Sequence, residues 1–332
     1  MKKFMNSAEN FEKEMLEGIL YSSSSYITSV REDNKSIVRQ NNTEKKVGIL
    51  TGGGSGHLPL FLGYVGEGLL DGVAVGDIFQ SPSPKQIFEV IKSINTGKGV
   101  LSIIGNYGGD VMNFELANEM ADFEDIENET IIVNDDVASN TKDNKEGRRG
   151  VAGLFFVYKT SGAAAKQGYD LQQVKNIALK TNENVRSMGV GLAPCTIPIK
   201  GKPSFEISDG QMELGIGIHG EPGTYRGPQK PAKEIVEEIL QSIFNDLELA
   251  AGEEIAVLVN GLGATALEEL YIVYKHVFEY SQGKNVSIYR NYIGEYATSM
   301  EMVGFSISVL RLDSELKNLI DEPHNTPFVR QF

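Results

Sequence analysis

The chain has 332 residues, a length that suits about two domains. With 41% hydrophobic and 23% charged residues it is too apolar to be disordered throughout. The 31 Lys+Arg against 45 Asp+Glu leave a formal net charge of −14, and the densest basic pairs, Lys45-Lys46 and Arg148-Arg149, have acidic residues nearby, so direct binding to nucleic acid or to anionic membranes is not expected.

The N-terminus has two lysines but no apolar stretch of signal-peptide type, because Asn6, Glu9, Asn10, Glu12 and Glu14 interrupt it. No window approaches the roughly 18 apolar residues of a spanning helix. Val47 to Thr51 predicts a buried strand, followed at once by Gly52-Gly53-Gly54-Ser55-Gly56-His57. Glycines after a strand let the backbone approach an anion or hydroxyl. The segment is not a P-loop, since His57 stands where Lys-Ser/Thr would follow. It reads either as a small-ligand cradle or as a tight strand-to-helix turn capped by His57.

Gly99 to Ile104 is a second strand, ending in Gly105-Asn106-Tyr107-Gly108-Gly109-Asp110, with a helix over Asn113 to Met120. Asp110 suits a base that accepts a proton from a substrate hydroxyl, and equally a helix N-cap. Thr130 to Val133 is a third strand, ending in Asn134-Asp135-Asp136. The alternation of strand, turn and helical pattern predicts an α/β domain with a mainly parallel sheet, its ligands outside the carboxyl ends of the strands.

Gly150 to Gly168 predicts a helix rich in small residues, and Leu171 to Met188 continues helical. A second α/β domain is placed at 184–332, after a first at 1–183. Cys195 is the one cysteine, which excludes an intramolecular disulfide and suits a reducing compartment. Together these features predict a soluble cytoplasmic protein. Met212 to His219 alternates as a strand, which presents His219 among small residues; neutral imidazole is a nucleophile, a base and a metal ligand. With four histidines and no pair at ligand spacing, no metal site is expected. Lys233 to Leu249 is an amphipathic helix, Ile255 to Asn260 a strand, and Ala266 to Tyr280 a helix that Thr265 could cap. Val286 to Asn291 and Ser306 to Leu310 are further strands. His276 and His324 are expected at the solvated surface.

The ordered set Gly52-Gly53-Gly54-Ser55-Gly56-His57, Asn106-Tyr107-x-Gly109-Asp110 with Asn113-Phe114-Glu115, Gly147-Arg148-Arg149-Gly150-Val151-Ala152, Gly201-Lys202-Pro203 and Gly217-Ile218-His219-Gly220-Glu221-Pro222-Gly223 resembles the substrate-binding K subunits of dihydroxyacetone kinases. Leu262-Gly263-Ala264-Thr265 and Gly304-Phe305-Ser306 carry the resemblance to the end of the chain. It implies two α/β domains, a homodimer and no bound cofactor. It also implies covalent capture of dihydroxyacetone as a hemiaminal on His219. Gly54, Ser55, Gly56, His57, Gly105 and Asp110 would line the ligand, with His57 and Asp110 assisting proton transfer.

Three positions depart from the pattern of that family. Leu58, Gly105 and Gly108 stand where kinase subunits usually have a glutamate, a lysine and a hydroxyl residue. Phosphoryl transfer needs cations that offset charge on the moving group, and a hemiaminal histidine does not. The departures therefore point to a dihydroxyacetone-responsive coactivator, of a type the family includes, that works through a separate DNA-binding transcriptional regulator. The alternative is a kinase subunit served by an L-type phosphoryl-donor subunit.

Overall fold

The computed structural model describes residues 3–41 and 43–332. Six strands form the first sheet: β1 (Ile27–Ser29), β2 (Ser36–Arg39), β3 (Gly48–Ser55), β4 (Gly72–Ile78), β5 (Val100–Gly105) and β6 (Asn128–Val133), in the order β1-β2-β4-β3-β5-β6. The run β4-β3-β5-β6 is parallel, and β1 and β2 extend it antiparallel. Outside this sheet α1 (Phe11–Ser22) precedes it in the chain, α2 (Pro84–Ile94) joins β4 to β5, and α3 (Gly108–Asp122) joins β5 to β6. Ser83 and Gln86 form a reciprocal capping box at the start of α2, with Pro84 at its first position, where the missing N–H costs nothing.

Chain direction reverses about β3, since β4 lies on one side of it and β5 on the other. The β3–β5 ladder pairs Gly48 to Leu50 only. Beyond it Thr51 Oγ1 donates to the Ile103 carbonyl at 2.7 Å, and the strand ends part. Such a reversal opens a crevice at the carboxyl edge, and the segments after β3 and β5 both enter it.

The second sheet has the order β11-β10-β7-β14-β12-β13, built from β7 (Val185–Ala193), β10 (Gln211–Leu214), β11 (Tyr225–Pro228), β12 (Glu254–Gly261), β13 (Ser287–Glu295) and β14 (Val303–Leu312). It is antiparallel except for β12 with β13. A short hairpin, β8 (Thr196–Ile197) with β9 (Lys202–Pro203), stands beside it, and α6 (Ala232–Leu247) and α7 (Leu267–Gly283) bury their apolar faces in its core. Then come α8 (Ser314–Asp321) and a terminal hairpin, β15 (His324–Asn325) with β16 (Arg330–Gln331).

Between the sheets lie α4 (Leu154–Lys166) and α5 (Leu171–Asn184). Every residue of α4 from Leu154 to Ala165 is buried. One apolar cluster runs from Ile49, Leu101 and Ile131 of the first sheet through this layer to Leu258 and Leu310 of the second. A helix covered on all sides has to be thin: a Cβ on Gly162 would stand 2.5 Å from the Leu69 carbonyl oxygen. Among the described residues no helix is long and apolar enough to cross a membrane.

The α/β class with a mainly parallel first sheet agrees with expectation, and several local expectations do not. The glycine run is not a turn: Gly52, Gly53 and Gly54 continue β3, because neighbours crowd each one, and a Cβ on Gly53 would lie 2.3 Å from the Phe61 ring. No α-helix follows β3; a single 3₁₀ turn, Leu62–Tyr64, leads into β4. The helix expected to reach Met188 ends at Asn184, where β7 begins. The strand expected to reach His219 ends at Leu214, so His219 lies in a loop.

Candidate functional site

β3 ends by placing His57 in the crevice, and there His57 is buried. Its Nδ1 lies 2.7 Å from the Thr298 carbonyl, which can only accept, so Nδ1 carries the proton and Nε2 is a free acceptor. The ring stacks on Phe79 at 4.8 Å and meets Phe61 edge-on. Burial, and after it the neighbouring His219, push the His57 pKa down to about 3. His57 is thus a neutral base held from three sides; it caps no turn.

His219 arrives from the other sheet, on the loop between β10 and β11. Its Nδ1–H donates to Glu221 Oε1 at 2.9 Å, while the His219 backbone N–H donates to Glu221 Oε2 at 3.0 Å. Burial raises the Glu221 carboxyl, but His219 and Arg149 outweigh it and bring it down to about 2. A carboxylate on Nδ1 fixes the tautomer and leaves Nε2 as the reactive nitrogen. That Nε2 lies 3.1 Å from His57 Nε2, so with both ring protons on Nδ1 two acceptor nitrogens face each other. Tyr107 and Phe79 pack edge-on against the His219 ring, at 4.9 and 5.3 Å.

Asp110 is the third residue of α3 rather than its N-cap, which is Tyr107. Burial lifts its carboxyl to about 6 against the Ser81 hydroxyl and His219, which lower it. Asp110 Oδ1 and the Tyr107 hydroxyl are buried with no protein partner, two polar groups that a hydroxylated ligand would satisfy. Of the other expected lining residues, Ser55 donates its hydroxyl to the Gly76 carbonyl at 2.9 Å. Gly54 and Gly56 lie close against the backbone and ring of Phe79. Gly105 ends β5, and a Cβ there would meet the Tyr107 ring and the Gly150 carbonyl oxygen at 3.2 Å.

Sequence reasoning left four contributors without a role. Glu221, Arg149 and Tyr107 stood inside quoted motifs, and Phe79 was not singled out. The signal for Phe79 was present: Gly72-Val73-Ala74-Val75 is an apolar run that ends before Ser81-Pro82-Ser83-Pro84, a strand followed by a helix start. Arg149 donates to Asp136 and to the Gly215 carbonyl, and stands 3.9 Å from Glu221. It ties the turn after β6 to the His219 loop. Two other histidines stay outside the site. His276 on α7 is half-buried beside Glu279. His324 is buried, against the expectation of a solvated tail, because the terminal hairpin folds onto Gly68. Thr265 does not cap α7 through its side chain, since its hydroxyl is tied to the backbone of Gly304.

Residues 17–328 match the Dak1 domain. The chain belongs to the Dak1 family. It is 45% identical over 331 residues, 99% of each chain, to the dihydroxyacetone-binding subunit DhaK of PTS-dependent dihydroxyacetone kinase 2 from Listeria innocua. Among solved structures it resembles the dihydroxyacetone kinase operon co-activator Dha-DhaQ, with a TM-score of 0.87 and 32% identity over 94% of this chain and 96% of that one. It also resembles the dihydroxyacetone kinase of C. freundii, with a TM-score of 0.90 and 28% identity over 98% of this chain, which spans 59% of the longer enzyme.

Proposed function

We propose that this Dak1 protein captures dihydroxyacetone as a hemiaminal on His219 and reports the ketone to a transcriptional regulator. The observation that carries the capture is the Glu221–His219–His57 arrangement, in which Nδ1 is held by a carboxylate and Nε2 faces a buried neutral base. His219 Nε2 bonds to the carbonyl carbon, and the π pair moves to oxygen. His219 Nδ1 passes its proton to Glu221 Oε1 and the oxygen takes one from solvent water, so the net move is one proton from ring to oxygen. The new hydroxyl then donates to His57 Nε2, while Asp110 Oδ1 accepts from a ligand hydroxyl. A C–N bond of roughly 1.45 Å cannot form while the nitrogens are in contact, so a ring has to shift. His57 is anchored on three sides, which leaves the glycine-rich His219 loop to move. The chemistry selects ketone over polyol, because hydroxyl hydrogen bonds gain little over water.

Support for a sensor comes from charge. Among the described side chains in contact with His57, His219, Asp110 or Glu221, the one permanent cation is Arg149, and Asp136, the Gly215 carbonyl and Glu221 already engage it. Gly105 and Gly108 add none, so nothing there stands ready to offset a transferring phosphoryl group. A second reading, a kinase K subunit, is favoured by the 45% identity to one. In either role a homodimer in the cytoplasm is the expected state.

Two measurements test this. With dihydroxyacetone labelled at C2, the carbonyl carbon resonance is expected to move into the tetrahedral range with the wild type and with His276→Ala, and to stay put with His219→Ala. An adduct on His219→Ala would overturn the nucleophile. Next, a phosphoryl-charged L-type subunit from the same genome is added beside a working K subunit. Adduct without dihydroxyacetone phosphate supports the sensor; product at the control rate makes the chain a kinase subunit.

A further inference from the structure

α3 has apolar residues on both of its faces. Phe114, Ala117 and Ala121 are buried under the first sheet. On the outward side Met112, Leu116 and Phe123 are 59%, 44% and 90% exposed, and half-buried Met120 lies between the last two. These positions recur at helical spacing over a length of about 16 Å. Ile132 of β6, 38% exposed, adds to the patch: Thr130 meets α3 through Asn118 at 2.8 Å, and two residues further along a strand lies on the same face. Such a contiguous outward apolar stripe marks an interaction surface.

The rim is mainly acidic, although Lys92 of α2 reaches Glu124 and Lys175 of α5 reaches Glu129. From Gly99 to Thr141 the chain has ten carboxylates and no lysine or arginine. Glu115, Glu119, Asp122, Asp125 and Glu127 are all exposed. The stripe begins at the site itself, since Asp110, whose Oδ1 is buried and unpartnered, lies in the first turn of α3, and Gly108 and Gly109 beside it are exposed. A Cβ on Gly108 would meet nothing within 4 Å.

We infer that the outward face of α3, with Ile132, is where a protein partner docks, through an apolar patch ringed by lysine and arginine, at the mouth of the ketone site. This rests on the reading that the His219 site holds the ketone. An apolar centre supplies the affinity, and the acidic rim steers a basic partner and refuses polyanions. The helix that presents Asp110 to the ligand is then the helix the partner grips, so occupancy of the site and docking share one rigid element.

The test uses the full-length protein saturated with dihydroxyacetone, titrated calorimetrically with two proteins from the same genome, the L-type donor subunit and the DNA-binding regulator of the kinase operon. Met112→Glu/Leu116→Glu is expected to weaken the partner that binds by at least tenfold while keeping the labelled adduct. Leu267→Glu/Tyr271→Glu, on the exposed side of α7, is expected to leave the affinity unchanged, and added salt is expected to weaken binding by the wild type. Three results would overturn the surface: unchanged affinity in the α3 variant, dissociation of a wild-type oligomer by that variant, which would assign the face to a second copy, or adduct formation with neither partner bound. Failure of the wild type to form the adduct would instead sink the ketone reading, and the α3 variant's effect on partner binding would still decide the surface.

Discussion

Glu221 holds two donors of one residue, the backbone N–H and the Nδ1–H of His219, and so sets both the position and the tautomer of the ring. Hydrogen bonds to a charged group contribute about 1.5–3 kcal/mol. Glu221→Gln keeps the shape and loses the charge, so adduct formation is expected to slow roughly ten- to hundredfold with little change in melting temperature. Stopped-flow measurement with labelled ketone separates this from a structural role, in which rate and stability would fall together. Gly105 and Gly108 offer the converse experiment. A serine fits freely at 108, and a lysine at 105 asks Tyr107 and Gly150 to give by a few tenths of an ångström. On the sensor reading, in which the chain does not support phosphoryl transfer for want of those cations and hydroxyls, Gly105→Lys/Gly108→Ser is expected to gain turnover with a charged L-type subunit. No gain, with the adduct intact, would place the cause elsewhere.

The proposed capture turns on the loop from Gly215 to Gly223. A Cβ on Gly217 would fall 2.1 Å from Glu221 Oε2 and 2.4 Å from Arg149 Nη1, both tips of flexible side chains. Gly217→Ala should therefore fold normally and form adduct slowly, its Glu221 displaced. Gly263→Ala makes the contrast: φ there is +116° and the Met300 carbonyl oxygen stands 1.7 Å from a Cβ, so backbone must move and the melting temperature is expected to drop sharply. Thermal melts with adduct rates on both variants check the pair. Legibility in the sequence follows the same division. β5 and α3 were readable because apolar period and a glycine break coincide there. The end of β3 was not, since glycine reads as a turn while here it is demanded by Phe61, Phe79 and Phe114, residues distant in sequence. His57 and His219 were legible singly; that they touch depends on how two sheets pack about α4, which no local pattern records. His324 looked solvated because only the folding of the tail onto Gly68 buries it.

Across the whole molecule, buried groups set the response to acid. His57 and His324 are both pushed down to about 3 by burial, aided by His219 at the first and by Lys159 at the second. Burial lifts Asp110 and Asp136 to about 6, against Arg149 in the case of Asp136. Between the ordinary histidine value of 6.5 and about 3 the unfolded chain takes up two protons that the folded chain refuses, so falling pH removes stability. Between about 6 and the ordinary 3.8 the two aspartates act in the opposite sense, since the folded chain protonates them first. Over that span the two histidines and the two aspartates therefore oppose each other. Below it the aspartates are protonated in both states. Glu221 and Asp246, both held down at about 2, then join the histidines in favouring unfolding, and the fall becomes steep. His324 can be isolated from the rest, because both its ring nitrogens lack a partner and it lies outside the site. His324→Phe removes one of the two uptakes, so its stability relative to wild type should improve by about 1.4 kcal/mol for each pH unit below 6.5. Urea unfolding of both proteins at about pH 7.5 and about pH 4.5 reads this directly. A stability difference identical at the two pH values would mean that His324 titrates alike in both states and that the tail does not hold it neutral.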